Sequence, residues 1–495
     1  MECPRNLAQL KPLMRSSPAP SGTSRADVIL LLSLYLFEVS ALLLLITLPR
    51  MGNRPILTFL GSRPGLLCLM AVPIFVASSV VIAQHYHKSR RGGLKQFTMT
   101  VVMNLATLVS LLTIGEMVIR LFSSRTAEGL IFMGTPLLPR SWSDEVARNR
   151  EILQKAPITS SYLVYDNLTG WTVGLNRRSA DGLNFSSTEG IRSPRLDMAF
   201  ADLPTAHRIA LVGDSYTFCL DVAYEESWGY QLERQLGPDF QVLNFGVSGY
   251  GLDQAYLRYH RDVRPWKPDI VIFGVFPHDL VRTMNVYPFI SFPEWGYPFA
   301  KPRFVVAEDK LVPLSVSPLA PEAIFSKNSI EDLPFLDYDW GYNRAHWQWH
   351  FYHQLHLLRL WISKYPLWQA PVGQNSDEAM KSVNGHILRS FVQHATAESS
   401  IPMVVYLPAR IDLRGVQSGP ENGVGFAQEV LRSVGLAYTD LTSCLLEVSP
   451  SQRFVSETGR HYAPKANIAV ANCLRPVILK LLSEKEARAA ESLIK

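Results

Sequence analysis

Several signatures are missing from this chain of 495 residues. Its net charge of +5 is spread along the sequence, with no basic stripe interleaved with aromatics, so nucleic-acid binding has no support. Five cysteines do not make a disulfide scaffold. Cys444 and Cys473 could pair in an oxidising compartment, but no sequence sets their separation. Phosphate loops and dinucleotide fingerprints are absent, as are internal repeats and low-complexity tracts, and no cofactor is expected. His346, His350 and His353 recur at i, i+4 and i+7 among Trp347, Trp349, Phe351 and Tyr352. With no carboxylate or cysteine nearby, they read as a packed helix face and no metal site is expected.

What is present begins with apolar runs. At 47% hydrophobic the chain is too apolar for a purely soluble protein and too mixed for a polytopic transporter. The excess sits at the front, where residues 28–48, 65–83 and 97–115 are each long enough to cross a bilayer, so three transmembrane helices are expected. The first run is long, lacks a small-residue cleavage site and is followed by two more, which argues against a cleaved signal peptide. Arg5, Lys11, Arg15 and Arg25 precede the first span, and Lys88, Arg90, Arg91 and Lys95 lie between the second and third. The intervening loop carries only Arg50, Arg54 and Arg63. That bias favours an inward N-terminus and places everything after Phe122 on the outer side, the periplasm in a Gram-negative cell. Glu38 falls inside the first span and is read as a neutral or paired carboxyl. Glu116 and Arg120 read as interface residues closing the third.

Four parts follow: a cytoplasmic tail (1–27), a membrane anchor (28–122), a connector and lid-like leader (123–204), and a large domain (205–495) with an insertion at 285–345. In the large domain, "RIALVGDS", "FQVLNFGVSG", "DIVIFGVF", "IPMVVYLP" and "LAYTDL" are short runs, β-branched or closed by turn signals. Helix-length segments separate them, at 225–236, 253–263, 346–364, 378–398 and 425–434. The alternation predicts an α/β fold with a parallel sheet covered on both faces. The insertion is dense in proline and aromatics and is expected to lie over the site as a lid.

Loops beyond the carboxyl ends of parallel strands form the ligand crevice of such sheets. Ser215 of Gly213-Asp214-Ser215 follows the first strand, where the bland alternative is a helix N-cap. "NFGVSGYG" (244–251) follows the second, "GVFPHDL" (274–280) the third, and "TGRHYAPKAN" puts His461 just before a final helix. Cys219 reads as a small buried hydrophobe and not as a nucleophile.

In this order the segments resemble the SGNH or GDSL hydrolase superfamily, over about residues 207–480. "TGWTVGL" and "STEGIRSP" upstream resemble the leader of its membrane-anchored members. The resemblance implies a flavodoxin-like three-layer α/β/α sandwich with a five-stranded parallel sheet. It also implies acyl hydrolysis or transfer on esters, many of them carbohydrate O-acetyl groups. Ser215 would be the nucleophile and His461 the base, with the backbone N–H groups of Ser215 and Gly249 holding the oxyanion.

Two positions depart from the family pattern. His278 stands where an asparagine amide is usual, and an imidazole can donate one N–H there or be a plain polar loop residue. Gly459 and Thr458 occupy the places expected for the aspartate, leaving Glu457 as the nearest carboxylate to orient His461, or a backbone carbonyl and a Ser-His dyad. The expected partners are the membrane and an acylated polysaccharide or other ester. A transferase would also need an acyl-donor-supplying membrane partner. The rival expectation is a catalytically silent module that binds polysaccharide or scaffolds an envelope assembly.

Overall fold

In the computed structural model the described residues are 25–47, 60, 63–89, 93–157, 161–314, 317–364, 373–417, 425–456 and 461–494. The expected basic positions Arg5, Lys11, Arg15, Arg50, Arg54, Arg90 and Arg91 lie outside them. Contacts divide the chain into two units: Met1–Ser124 with Ile131–Leu138 and His350–Gln369, and Arg125–Leu130 with Pro139–Trp349 and Ala370–Lys495.

The first unit is built on α1 (Arg25–Thr47), α2 (Arg63–Ser89) and α3 (Leu94–Phe122). Phe37 of α1 stacks on Phe75 of α2 with ring centroids 4.7 Å apart, and Gln96 of α3 donates to Asp27 of α1 at 2.8 Å. Most of their leucines, valines and methionines face outward, as expected of helices whose solvent is lipid. Among the described residues four helices, not three, are long and apolar enough to cross a membrane, the fourth being within Pro464–Ile494. That helix lays Ala466, Val470, Ala471, Leu474 and Ile478 into the core of the second unit. Its apolar character is therefore matched by a protein face, a distinction that average hydropathy does not register.

The second unit contains a five-stranded, all-parallel sheet of β1 (His207–Val212), β2 (Phe240–Asn244), β3 (Ile270–Val275), β4 (Ile401–Tyr406) and β5 (Tyr438–Asp440). The strand order is β5-β4-β3-β1-β2. Successive residues alternate between faces. Ile209, Leu211, Ile272 and Val405 pack with the helices Trp228–Leu236 and Pro464–Ile494. Ala210, Val212, Phe273 and Val404 pack with Leu252–Arg258, Asp377–Ala397 and Phe426–Val434. Burial on both faces is why β1, β3 and β4 read as continuous apolar runs, whereas the edge strand β5 is half-buried.

The expected helix over 346–364 is not continuous. A 3-10 turn ends at His346, another spans Phe351–Gln354, and the α-helix starts only at His356. Leu355 is extended between them, and His353 folds its Nδ1 back to accept from His350 N at 2.9 Å. The three histidines thus share no helical face. The insertion has its own core of Val286, Tyr287, Phe289, Ile324, Phe325 and Leu336, against which Trp142 and Val146 of the helix Trp142–Lys155 pack. Buried Asp339 organises it by accepting from the N–H groups of Val286 at 2.7 Å and Tyr287 at 2.6 Å.

Candidate active site

The chain order reverses between β1 and β3, and the crevice of an open parallel sheet opens there, outside the carboxyl ends of the strands. Ser215 follows β1, Gly249 follows β2 and His278 follows β3. All three, with His461, line one cavity of about 830 Å³.

The turn after β1 explains the spelling Gly-Asp-Ser. Gly213 has φ +153°, and a Cβ there would meet Thr217 Oγ1 at 2.2 Å and Gly274 O at 3.0 Å. Asp214 is the N-cap of the short helix Ser215–Phe218, accepting from Tyr216 N at 2.8 Å. Capping thus falls to the aspartate, and the serine hydroxyl is left for other work. Asp214 is itself buried and held by Arg282, whose Nη1 lies 2.8 Å from both Asp214 Oδ2 and Asp279 Oδ1. Burial, and next the charge of Asp214, push the Asp279 carboxyl well above the usual carboxylate range.

The hydroxyl of Ser215 meets His461. Ser215 Oγ lies 2.8 Å from His461 Nε2, and His461 Nδ1 lies 2.7 Å from Asp221 Oδ2. A carboxylate only accepts, so Nδ1–H donates to Asp221 and Nε2 is left to accept from the serine. Glu457 lies outside the described residues. The carboxylate seated on the ring is Asp221, in the loop that leaves the serine's own short helix. Its sequence signal was an acidic residue shortly after Gly-Asp-Ser, and nothing in its spacing told it from a surface aspartate. The bend that returns it to the site is at Cys219, which sits in the left-handed region at φ 62°. That thiol is buried, and burial pushes its pKa up to about 11, which suits a packing role.

Leader residues fix this loop and the one beside it. The fully buried Arg192, from "EGIRSP", donates to the carbonyls of Phe218, Cys219 (2.7 Å) and Val222 (2.6 Å). Its guanidinium lies 4.7 Å above the Phe218 ring. Trp171, from "TGWTVGL", donates Nε1–H to Ser248 O at 3.0 Å, and Tyr297 donates its hydroxyl to Ser248 Oγ at 2.8 Å. Between them they shape the turn at Gly249, where φ is +81° and a Cβ would meet Tyr297 Cε2 at 2.7 Å. His278 lies edge-on to Phe276 at 5.3 Å on the same cavity wall. The insertion supplies another wall, with Phe292 and Trp295 stacked at 4.1 Å and Arg282 over the Trp295 ring at 4.9 Å. Among the described residues no group of three or more side chains is placed to hold a metal ion.

No protein-family model matches the chain, and no curated protein is significantly similar to it in sequence. Solved structures with a similar α/β region do exist. A Desulfitobacterium hafniense protein assigned to a lipolytic G-D-S-L family is 16% identical over 55% of this chain and 98% of its own, with a TM-score of 0.26. An acetyl xylan esterase, AlAXEase, is 13% identical over 55% and 99%, at 0.30. A lipase/acylhydrolase from Enterococcus faecalis is 13% identical over 55% and 95%, at 0.28. At such identities and superposition scores no role passes from those proteins to this chain.

Proposed function

We propose that this chain is a membrane-anchored serine esterase or O-acyltransferase of SGNH type, on a flavodoxin-like three-layer sandwich. One observation carries the reading: a single imidazole bridges Ser215 and Asp221 at the mouth of a cavity beyond the sheet's carboxyl edge.

Ser215 Oγ attacks the ester carbonyl while His461 Nε2 takes its proton, and Asp221 stabilises the imidazolium that forms. Backbone N–H groups of Ser215 and Gly249 receive the oxyanion, with His278 as a third donor in place of an amide. His461 returns the proton to the departing alkoxide, leaving an acyl-serine. Water or a sugar hydroxyl, activated by the same ring, then releases the acyl group. The stacked Phe292 and Trp295 suit the apolar face of a sugar ring, which supports glycan esters as substrates, O-acetyl groups foremost. A transferase would take its acyl group from a separate membrane partner.

An extracytoplasmic, inner-membrane placement is supported by the bonded pair Cys444–Cys473, since disulfides persist in oxidising compartments, and by the basic bias around the spans. The test is hydrolysis of p-nitrophenyl acetate by the detergent-solubilised full chain. Turnover above background is expected, falling to background in Ser215→Ala and in His461→Ala. Full turnover in either variant overturns the mechanism, and a folded wild-type chain with no turnover favours the silent binding module.

A further inference from the structure

We infer that residues 350–361 form a second membrane contact, lying in the headgroup region of the bilayer beside the end of α3. Three observations within the first unit carry this.

The segment is tied to α3 at a defined level. Glu116 accepts from the N–H groups that open the helix His356–Lys364, at 2.9 Å from His356 N and 2.8 Å from Leu357 N. Arg120 donates to Gln354 O at 2.5 Å. Gly115 gives the close approach, since a Cβ there would stand 3.0 Å from Leu357 Cδ1. A bilayer's hydrocarbon core takes about 20 residues of helix, which residues 97–115 of α3 supply. Glu116 and Arg120 are the first charged side chains after Lys95 and lie in the last two turns of α3, so whatever they hold sits at headgroup depth.

The polarity of the segment is turned inside out. Its one arginine, Arg359, is buried and donates to the carbonyls of Leu138 (3.2 Å) and Leu137. Meanwhile Phe351 is 86% exposed, Leu355 52% and Tyr352 37%. A helix edge facing water shows the reverse, charge outward and large apolar groups inward. The same unit exposes Leu121 and Phe122 at the end of α3, and Met133 in the adjoining hairpin.

The composition fits lipid better than a protein partner. Aromatic side chains with a polar edge, here Tyr352 and Trp361, collect at headgroup level, and short amphipathic helices bury their apolar face there. The occupant is therefore the boundary between headgroups and acyl chains, and the segment pins the exit of α3 at a fixed height.

The inference rests on α3 spanning the bilayer, and the test separates the two. The full chain, with Cys3 replaced by serine, is spin-labelled singly at Phe351→Cys, Leu355→Cys, Val109→Cys in α3, or Glu308→Cys, an exposed position of the other unit. In phosphatidylcholine/phosphatidylglycerol liposomes, collision rates with oxygen and with a water-soluble nickel chelate are measured. The expected nickel-to-oxygen ratio at 351 and 355 is several-fold below that at 308, and that at 109 is lower still. If 109 is shielded while 351 and 355 match 308, this inference falls and the anchor stands. Shielding of 351 and 355 from both reagents points to a protein cover and also overturns it. A nickel-accessible 109 removes both claims.

Discussion

Asp221 and Arg192 decide whether His461 is oriented or loose. Asp221→Asn would swap the ring's acceptor for an amide and allow the wrong tautomer, a change that costs about four orders of magnitude in turnover in a comparable triad. Aryl-ester kinetics should show a loss of that order, with Glu457→Gln near wild type; the opposite ranking would put the relay on Glu457. Arg192→Met leaves three loop carbonyls without their donor and frees Asp221 to drift. Misplacement by about 1 Å can cost on the order of 100-fold, so kcat should drop by that much. The pH–rate profile should shift in the same sense as in Asp221→Asn, which a merely structural role would not produce. Gly249→Ala asks for a Cβ at φ +81° against Tyr297 and should cost about 100-fold or more, the scale of one lost oxyanion donor. Ser215 and His461 were legible in the sequence because each stands in a short motif beside a strand end or a helix start. Asp221 was not, because its place beside His461 comes from a left-handed bend at a cysteine and from an arginine clamp outside the large domain. Those are tertiary facts with no local spelling.

Individual elements show the same division. Strands β1, β3 and β4 were legible because burial on both faces keeps polar residues out of their middles, as in Val271-Ile272-Phe273, while β5, half-buried with Thr439 at its centre, was marked by its place in the strand–helix alternation. The helix expected over 346–364 was not, because its periodicity continues through Leu355 while the backbone follows the His353 side chain and the docking of His356 onto Glu116. The leader reads as a connector in sequence, yet Trp171 is fully buried and its carbonyl accepts from Tyr250 at 2.7 Å. Trp171→Ala should lower unfolding stability by about 3 to 5 kcal/mol, read by chemical denaturation; a change near zero would make the leader peripheral. The turn after Leu252–Arg258 is expected to make stability respond to pH. Burial, with the neighbouring His394 and Arg264, lowers the His260 pKa from 6.5 to about 4. Above pH 6.5 the ring is neutral in native and unfolded chains alike; below it the unfolded chain takes up a proton that the native chain refuses. Stability should therefore fall as pH drops from about 6.5 towards 4, and His260→Asn should flatten that fall in melting experiments. An unchanged slope would contradict the assignment.

For the whole molecule, four helices among the described residues are long and apolar enough to cross a membrane, three of them ahead of the α/β region, and Cys444–Cys473 braces the last helix against the segment before it. In unreduced, denatured protein isolated from cells these two cysteines should resist alkylation until a reductant is added. Alkylation without reductant would speak for a reducing compartment and against the outward placement. The account stands on Ser215 being a nucleophile made reactive by His461 and Asp221. Its most direct test is fluorophosphonate labelling of the full chain in detergent, followed by peptide mass mapping. One phosphonyl group on Ser215 is predicted, lost in Ser215→Ala and greatly slowed in Asp221→Asn. A correctly folded chain that takes up no label, or takes it up elsewhere, contradicts the account.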